Sequence, residues 1–189
     1  MQLHTTKLEI QELVKAWLAI STAFTILLSN MPIGIINVFI ISLLTVGLGF
    51  LLHELAHKIT AQRYGCEAEF RANNTMLAIA IATAFLGFIF AAPGAVMIRG
   101  FITYRENGII SIAGPLTNLA LALLFLPLSL APGILGITGQ IGFLVNAILG
   151  LFNMLPIKPL DGSKVLAWNK KIYAATTIIL LITTIYALL

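Results

Sequence analysis

Residues His53-Glu54-Leu55-Ala56-His57 read H-E-x-x-H. Side chains four residues apart share one face of a helix, with Cβ atoms about 5–6 Å apart, so His53 and His57 can offer ring nitrogens to one zinc ion at about 2.0–2.1 Å. Glu54 stands beside them, placed to act as general base on a metal-bound water whose acidity zinc raises. A lone histidine near a membrane surface is more often an amphipathic side chain reaching for the headgroups. Here two histidines and a glutamate close a segment, Ile33 to Leu52, that carries no charge. Ionisable groups at such places are costly and default to function.

A catalytic zinc takes three protein ligands and keeps one position open. Glu9, Glu12, Glu67, Glu69 and Glu106 lie among basic residues in polar stretches, where solvation is expected. Asp161 differs, because it follows an apolar run directly, in Asn153-Met154-Leu155-Pro156-Ile157-Lys158-Pro159-Leu160-Asp161-Gly162. It suits a ligand, and equally an N-cap for a helix over Gly162 to Trp168; the two roles are compatible.

The elements that must position these residues are membrane helices. Of the 189 residues 59% are hydrophobic and 10% charged, against roughly 25% charged in soluble domains. That excludes an ordinary soluble enzyme and a disordered chain. One cysteine, Cys66, allows no internal disulfide and reads as a reduced thiol. The 11 basic residues form no dense run, so nucleic acid is not an expected partner. About 20 apolar residues cross a bilayer, and five uncharged runs qualify: Ala16 to Leu28, Ile33 to Leu52, Gly108 to Ala131, Gly133 to Ile157 and Ile172 to Leu189. Glu9 and Glu12 ahead of the first run argue against a cleaved signal peptide. A sixth stretch, Thr75 to Ile98, is broken by Ala91-Ala92-Pro93-Gly94.

The fold expected is an all-α polytopic membrane protein, with about five to six transmembrane helices and a re-entrant or strand-like hairpin near residues 75–104. Residues 1–189 form a single membrane-embedded domain, with a core of about 33–168 and flanking helices of about 16–31 and 172–189. If His57 and Asp161 share one metal, an even number of crossings separates them, so Thr75 to Ile98 contributes none or two. All 11 basic residues then fall on the metal side, which the positive-inside rule makes cytoplasmic. Trp17, Tyr64, Tyr104, Trp168 and Tyr173 lie near that side as an aromatic belt would. His4 is expected to be solvated. The uncharged run before His53 spans about 30 Å by itself, which places the metal near the cytoplasmic face.

These residues resemble the site-2 proteases, zinc metalloproteases that cut transmembrane segments within the membrane. Three motifs carry the likeness: HELAH at 53–57, Ala113-Gly114-Pro115-Leu116-Thr117-Asn118, and Asn153 to Gly162. The resemblance implies one zinc per chain, held by His53, His57 and Asp161, with Glu54 as catalytic base. Asn153 would orient the substrate backbone or stabilise the oxyanion. Gly114, Pro115 and Asn118 match the family's central-helix motif, which permits close packing at the site. The substrate implied is a transmembrane protein in the lipid bilayer, and the setting the plasma membrane of a prokaryote. This sequence departs from the pattern in an added apolar stretch, roughly Thr75 to Phe90, placed before the family's strand-like segment. It also carries no PDZ-like or CBS-like segment.

Two further stripes bear on the site. Val46, Gly49, His53 and His57 share a face, and the missing side chain at Gly49 leaves room for a neighbouring helix or a substrate backbone. Asn146, Gly150 and Asn153 share another that must point into the bundle, with Asn146 read as packing. The backbone around Pro93 to Val96, Ala95 and Val96 in particular, is expected to pair with an unwound substrate by strand addition. A non-hydrolytic metal-binding membrane protein or a transporter is the alternative reading. Transporters typically show internal repeats, and none is found here.

Overall fold

The structure, a computed structural model, describes residues 4–90 and 93–189. In chain order it runs α1 (Lys7–Leu27), α2 (Ile35–Ser42), a π-helical turn (Leu43–Gly47), α3 (Leu48–Arg63), β1 (Glu67–Ala72), α4 (Asn74–Ala84), β2 (Gly94–Arg99), α5 (Tyr104–Ser129), α6 (Gly133–Asn153), α7 (Asp161–Trp168) and α8 (Lys170–Leu188). Among the described residues five helices are long and apolar enough to cross a membrane: α1, the continuous helix Ile35–Arg63, α5, α6 and α8. Each corresponds to one of the five uncharged runs. The protein is an all-α polytopic membrane protein with one small two-stranded sheet.

The helix that carries HELAH runs on past the apolar segment. α2, the π turn and α3 join into one 29-residue helix, with a wider loop at Leu43–Gly47 where Leu48 N–H reaches the Leu43 carbonyl. The Leu43 carbonyl also accepts from Trp17 Nε1 at 3.1 Å. A Cβ at Gly47 would strike the Trp17 ring and Ser21, so α1 crosses at this turn because glycine stands there. Local π geometry of this kind often marks functional helices.

α1 begins at Lys7, well ahead of the uncharged run. Thr6 caps it, its Oγ1 accepting from Glu9 N–H at 3.1 Å, and the two carboxylates that follow find partners. Glu9 was expected in solvent and is instead fully buried, 2.5 Å from Lys58 Nζ and 3.0 Å from Phe70 N. Glu12 is half-buried, bonded to Lys15 and to the Ala72 amide. Charges that pair across elements look the same in sequence as charges in water. Of the other acidic residues, Glu67 is exposed and Glu106 completes the capping box of α5 with Thr103. The Thr6 hydroxyl, with Arg71 beside it, holds the Glu69 carboxyl below its usual range. Cys66 is buried, which pushes its thiol up and keeps it an inert thiol, as read from sequence. His4 is exposed as expected.

β1 and β2 pair antiparallel from Glu67↔Arg99 to Ala72↔Gly94, and Asn73 N–H continues the ladder to the Pro93 carbonyl at 2.9 Å. The chain therefore leaves the sheet at Asn73 and returns to the same place at Pro93. α4, with 11 residues, rises only about 16 Å and cannot span about 30 Å of hydrocarbon. It packs on α1, with Leu77, Ala80 and Ala84 among Leu13, Ala16, Ile20 and Ala23. The segment contributes no net crossing, and two crossings are excluded. Phe85, Leu86, Phe88 and Phe90 at its turn are exposed, as suits an apolar tip within a bilayer. Of the breaker, Pro93 and Gly94 stand at the entry to β2; Ala91 and Ala92 lie outside the described residues.

The hairpin differs from expectation in position. Its first strand is Glu67–Ala72, ahead of the 75–104 window, and the added apolar stretch sits between the two strands rather than before both. Ala68 and Phe70 face inward, alternating with Glu67, Glu69 and Arg71, a period-two pattern hidden by its polar residues. α6 carries a stripe of Gly136, Gly139 and Gly142 whose bare backbone lies on Ala131, Leu128, Ser129 and Phe125. Such contacts replace hydrophobic driving force in membrane packing.

Candidate metal centre

His53 and His57 lie one turn apart on α3, both buried, and their Nε2 atoms are 3.0 Å apart. Asp161, also buried, is the first residue of α7. Its Oδ2 lies 3.3 Å from His53 Nε2 and 3.1 Å from His57 Nε2. The N-cap of α7 is Leu160, so the capping role weighed for Asp161 is not what it does; its carboxylate turns to the histidines while still facing the positive end of the helix. Lys164 Nζ lies 3.7 Å from the other oxygen, Oδ1.

The hydrogen bonds behind the imidazoles fix which nitrogen faces inward. His57 Nδ1 lies 2.8 Å from the Ile110 carbonyl oxygen, which can only accept, so Nδ1 carries the proton. Asn118 Nδ2 donates to Gly49 O at 3.2 Å and to Asn146 Oδ1 at 3.0 Å. That turns Asn118 Oδ1 to His53 Nδ1, 2.5 Å away, which must then donate. Both Nε2 atoms are left as lone-pair donors, a tautomer set by outer partners as in zinc sites generally. Three electron-rich atoms thus face one another with no proton between them, an arrangement a cation relieves. Two ligands about 2.0–2.1 Å from one zinc at the tetrahedral angle stand roughly 3.3 Å apart, close to the three separations observed. The residues fit a zinc ion.

Gly114 forms the floor of the centre. A Cβ there would lie 2.5 Å from Nε2 of both histidines. Pro115, buried in the interior of α5, follows it, and its missing N–H leaves the Ser111 carbonyl without a helical partner. Gly49 makes room for a helix, since its Cβ would strike Asn146 Oδ1. Asn146, read from sequence as packing, is fully buried and braces the amide that braces His53. Its place on the stripe with Gly150 was the available signal. The Ile110 carbonyl had none, because a backbone acceptor leaves no mark in side-chain identity.

Glu54 is half-buried on α3, adjacent in sequence to His53. β2, which carries Ala95 and Val96, packs against α3. Asn153 is the last residue of α6, and its Nδ2 bonds back to Leu149 O at 3.0 Å. The structure gives it no hydrogen bond to His53, Glu54, His57 or Asp161.

Asn118→Ala removes the acceptor that fixes His53. Zinc affinity is expected to fall about 10- to 100-fold, the usual effect of losing such a partner. Competition against a chromogenic chelator measures it.

A Methanocaldococcus jannaschii protein named as a candidate zinc metalloprotease is 47% identical over 172 residues, covering 88% of this chain and 87% of that protein. Similarly named proteins of Mycolicibacterium smegmatis and Bacillus subtilis are 32% and 31% identical, over 78% and 71% of this chain and 61% and 70% of their own lengths. No family model matches the chain. No solved structure matches it.

Proposed function

Because this chain belongs to the zinc metalloprotease family, we propose that it is an intramembrane endopeptidase of the site-2 protease kind. His53, His57 and Asp161 hold the zinc, Glu54 is the general base, and the substrate is a transmembrane segment of another protein. One observation carries the reading: the convergent triad is built from membrane-spanning α3 and from α7, which directly follows α6. A soluble substrate would have to reach a centre framed by spans, whereas a transmembrane one approaches within the bilayer.

Zinc supplies Lewis acidity, polarising a carbonyl and letting water lose its proton near neutral pH. Glu54, not itself among the three convergent ligand atoms, would serve as the general base that accepts a proton from the attacking water and delivers it to the leaving amine. Asn118 and the Ile110 carbonyl keep both imidazoles oriented throughout. The basic residues gathered on the site's side favour a cytoplasmic orientation in a prokaryotic plasma membrane.

Substrate docking follows from the sheet. Asn73 bonds Pro93 across the ladder, and antiparallel pairs alternate, so Gly94, Val96 and Ile98 point their backbone groups away from β1. Among the described residues no other strand pairs with that edge. An unwound substrate can add to it as a third strand, needing main-chain groups rather than a fixed sequence, and is delivered beside Glu54. Val96→Pro deletes an outward N–H without touching the ladder. Cleavage is expected to fall about tenfold, the value of a hydrogen bond or two, with zinc unchanged; unaltered kinetics would sink strand addition.

The test is cleavage of a panel of single-span proteins in detergent, with products mapped by mass spectrometry and zinc by elemental analysis. Cuts inside the apolar span establish the reading. Zinc-loaded protein that cuts only polar tails would overturn it.

A further inference from the structure

A two-stranded sheet has two outer edges, and here they are treated differently. On β1 the backbone groups of Ala68, Phe70 and Ala72 point away from β2, and α1 and α3 meet them with side chains. Glu9 Oε1 accepts from Phe70 N–H at 3.0 Å, Glu12 Oε2 accepts from Ala72 N–H at 3.2 Å, and Gln62 Nε2 donates to the Ala68 carbonyl at 3.2 Å. On β2 the matching groups of Gly94, Val96 and Ile98 meet no strand among the described residues, and β2 packs against α3, the helix that carries Glu54.

Glu9, the acceptor for Phe70, is also tied to the metal-binding helix α3. Glu9 Oε2 lies 2.5 Å from Lys58 Nζ, with both side chains almost wholly buried, and Lys58 directly follows His57. The same ammonium donates to Thr5 Oγ1 at 2.8 Å. Carboxylate acceptors bind amides more strongly than neutral ones, and an i, i+3 pair on one helix face can serve two outward amides of a strand. An open strand edge otherwise invites pairing with another chain.

We propose that Glu9 and Glu12 are positioning residues that stand in for a third strand on β1, leaving β2 as the one edge open to substrate and fixing that edge at its distance from Glu54. This rests on the strand-addition reading. The helix α1 is then part of the catalytic apparatus rather than a flanking span: through Lys58 it sets where the sheet lies relative to α3. Preorganised docking of this kind appears in substrate affinity, because a sheet already held in place has less freedom to lose on binding.

The experiment uses the full chain in lipid nanodiscs, as wild type, Glu12→Ala and Glu12→Gln, with zinc content checked for each. Hydrogen exchange is followed at Phe70, Ala72, Val96 and Ile98, with and without a peptide of extended apolar sequence. In Glu12→Ala the Ala72 amide should exchange faster. The peptide concentration that protects Val96 and Ile98 should rise about tenfold, and KM for a single-span substrate should rise with it. kcat should stay within about twofold and zinc at one per chain. Glu12→Gln, which keeps an acceptor, should restore slow exchange and affinity. Faster exchange at Ala72 with peptide protection and KM unchanged would overturn the proposal, as would loss of zinc or a fall in kcat alone. Absence of peptide protection in wild type would overturn it together with strand addition. Failure to cut any span would strike the protease reading separately, since exchange needs no turnover.

Discussion

Gly114→Ala is expected to give a folded membrane protein that holds no zinc. The added Cβ would lie 2.5 Å from Nε2 of both His53 and His57, inside any distance that carbon and nitrogen tolerate and in the space between the ligands. Neither imidazole can step back. His57 is held by the Ile110 carbonyl and His53 by Asn118, and both partners belong to α5, the helix that carries Gly114. The clash and the restraint are built on one rigid element. Folding should not suffer in proportion, because alanine is favoured over glycine inside a helix by about 1 kcal/mol. Elemental analysis of purified protein should fall from one zinc per chain to a small fraction. The affinity loss should exceed the roughly 10- to 100-fold expected of Asn118→Ala, with helical circular dichroism preserved. Stoichiometric zinc in this variant would show that the ion is not held where the triad converges.

Much of this centre was legible before any coordinates, and the reasons are local. His53 and His57 are four apart on one helix, so spacing alone brought them together. Asp161 sat at the border of an apolar run, and a shared metal demanded an even number of crossings, which the strand–α4–strand excursion satisfies by returning to Pro93. What spacing could not show was long-range pairing. Glu9 reads as a solvated charge near basic neighbours, yet it lies 2.5 Å from Lys58, 49 positions away. β1 was hidden for a similar reason: Glu67, Glu69 and Arg71 made the segment look like a polar loop, although Ala68 and Phe70 between them are buried. The extension of the second helix through HELAH to Arg63 was obscured because hydropathy ends at Leu52 while hydrogen bonding does not. Asn153, to which a motif gives a role toward substrate, stands at the end of α6 with its Nδ2 bonded to the Leu149 carbonyl.

Glu54→Gln should keep zinc at one per chain and lower turnover by roughly 10²- to 10⁴-fold, the range for removing a general base. The substitution is nearly isosteric, so the packing of β2 against α3 is not disturbed. Glu54 lies outside the group of three convergent ligand atoms, so no ligand is lost. What disappears is the capacity to accept a proton and hand it on. His53→Ala, by contrast, should lose zinc and turnover together, and comparing the two separates the holding of the metal from the moving of the proton. Elemental analysis and product mapping on the same preparations read both. Because docking on β2 depends on main-chain groups that this substitution leaves in place, Glu54→Gln should also retain a single-span substrate uncut. Protection of Val96 and Ile98 from hydrogen exchange in that complex would be expected, whereas near-normal cleavage would remove Glu54 from the mechanism.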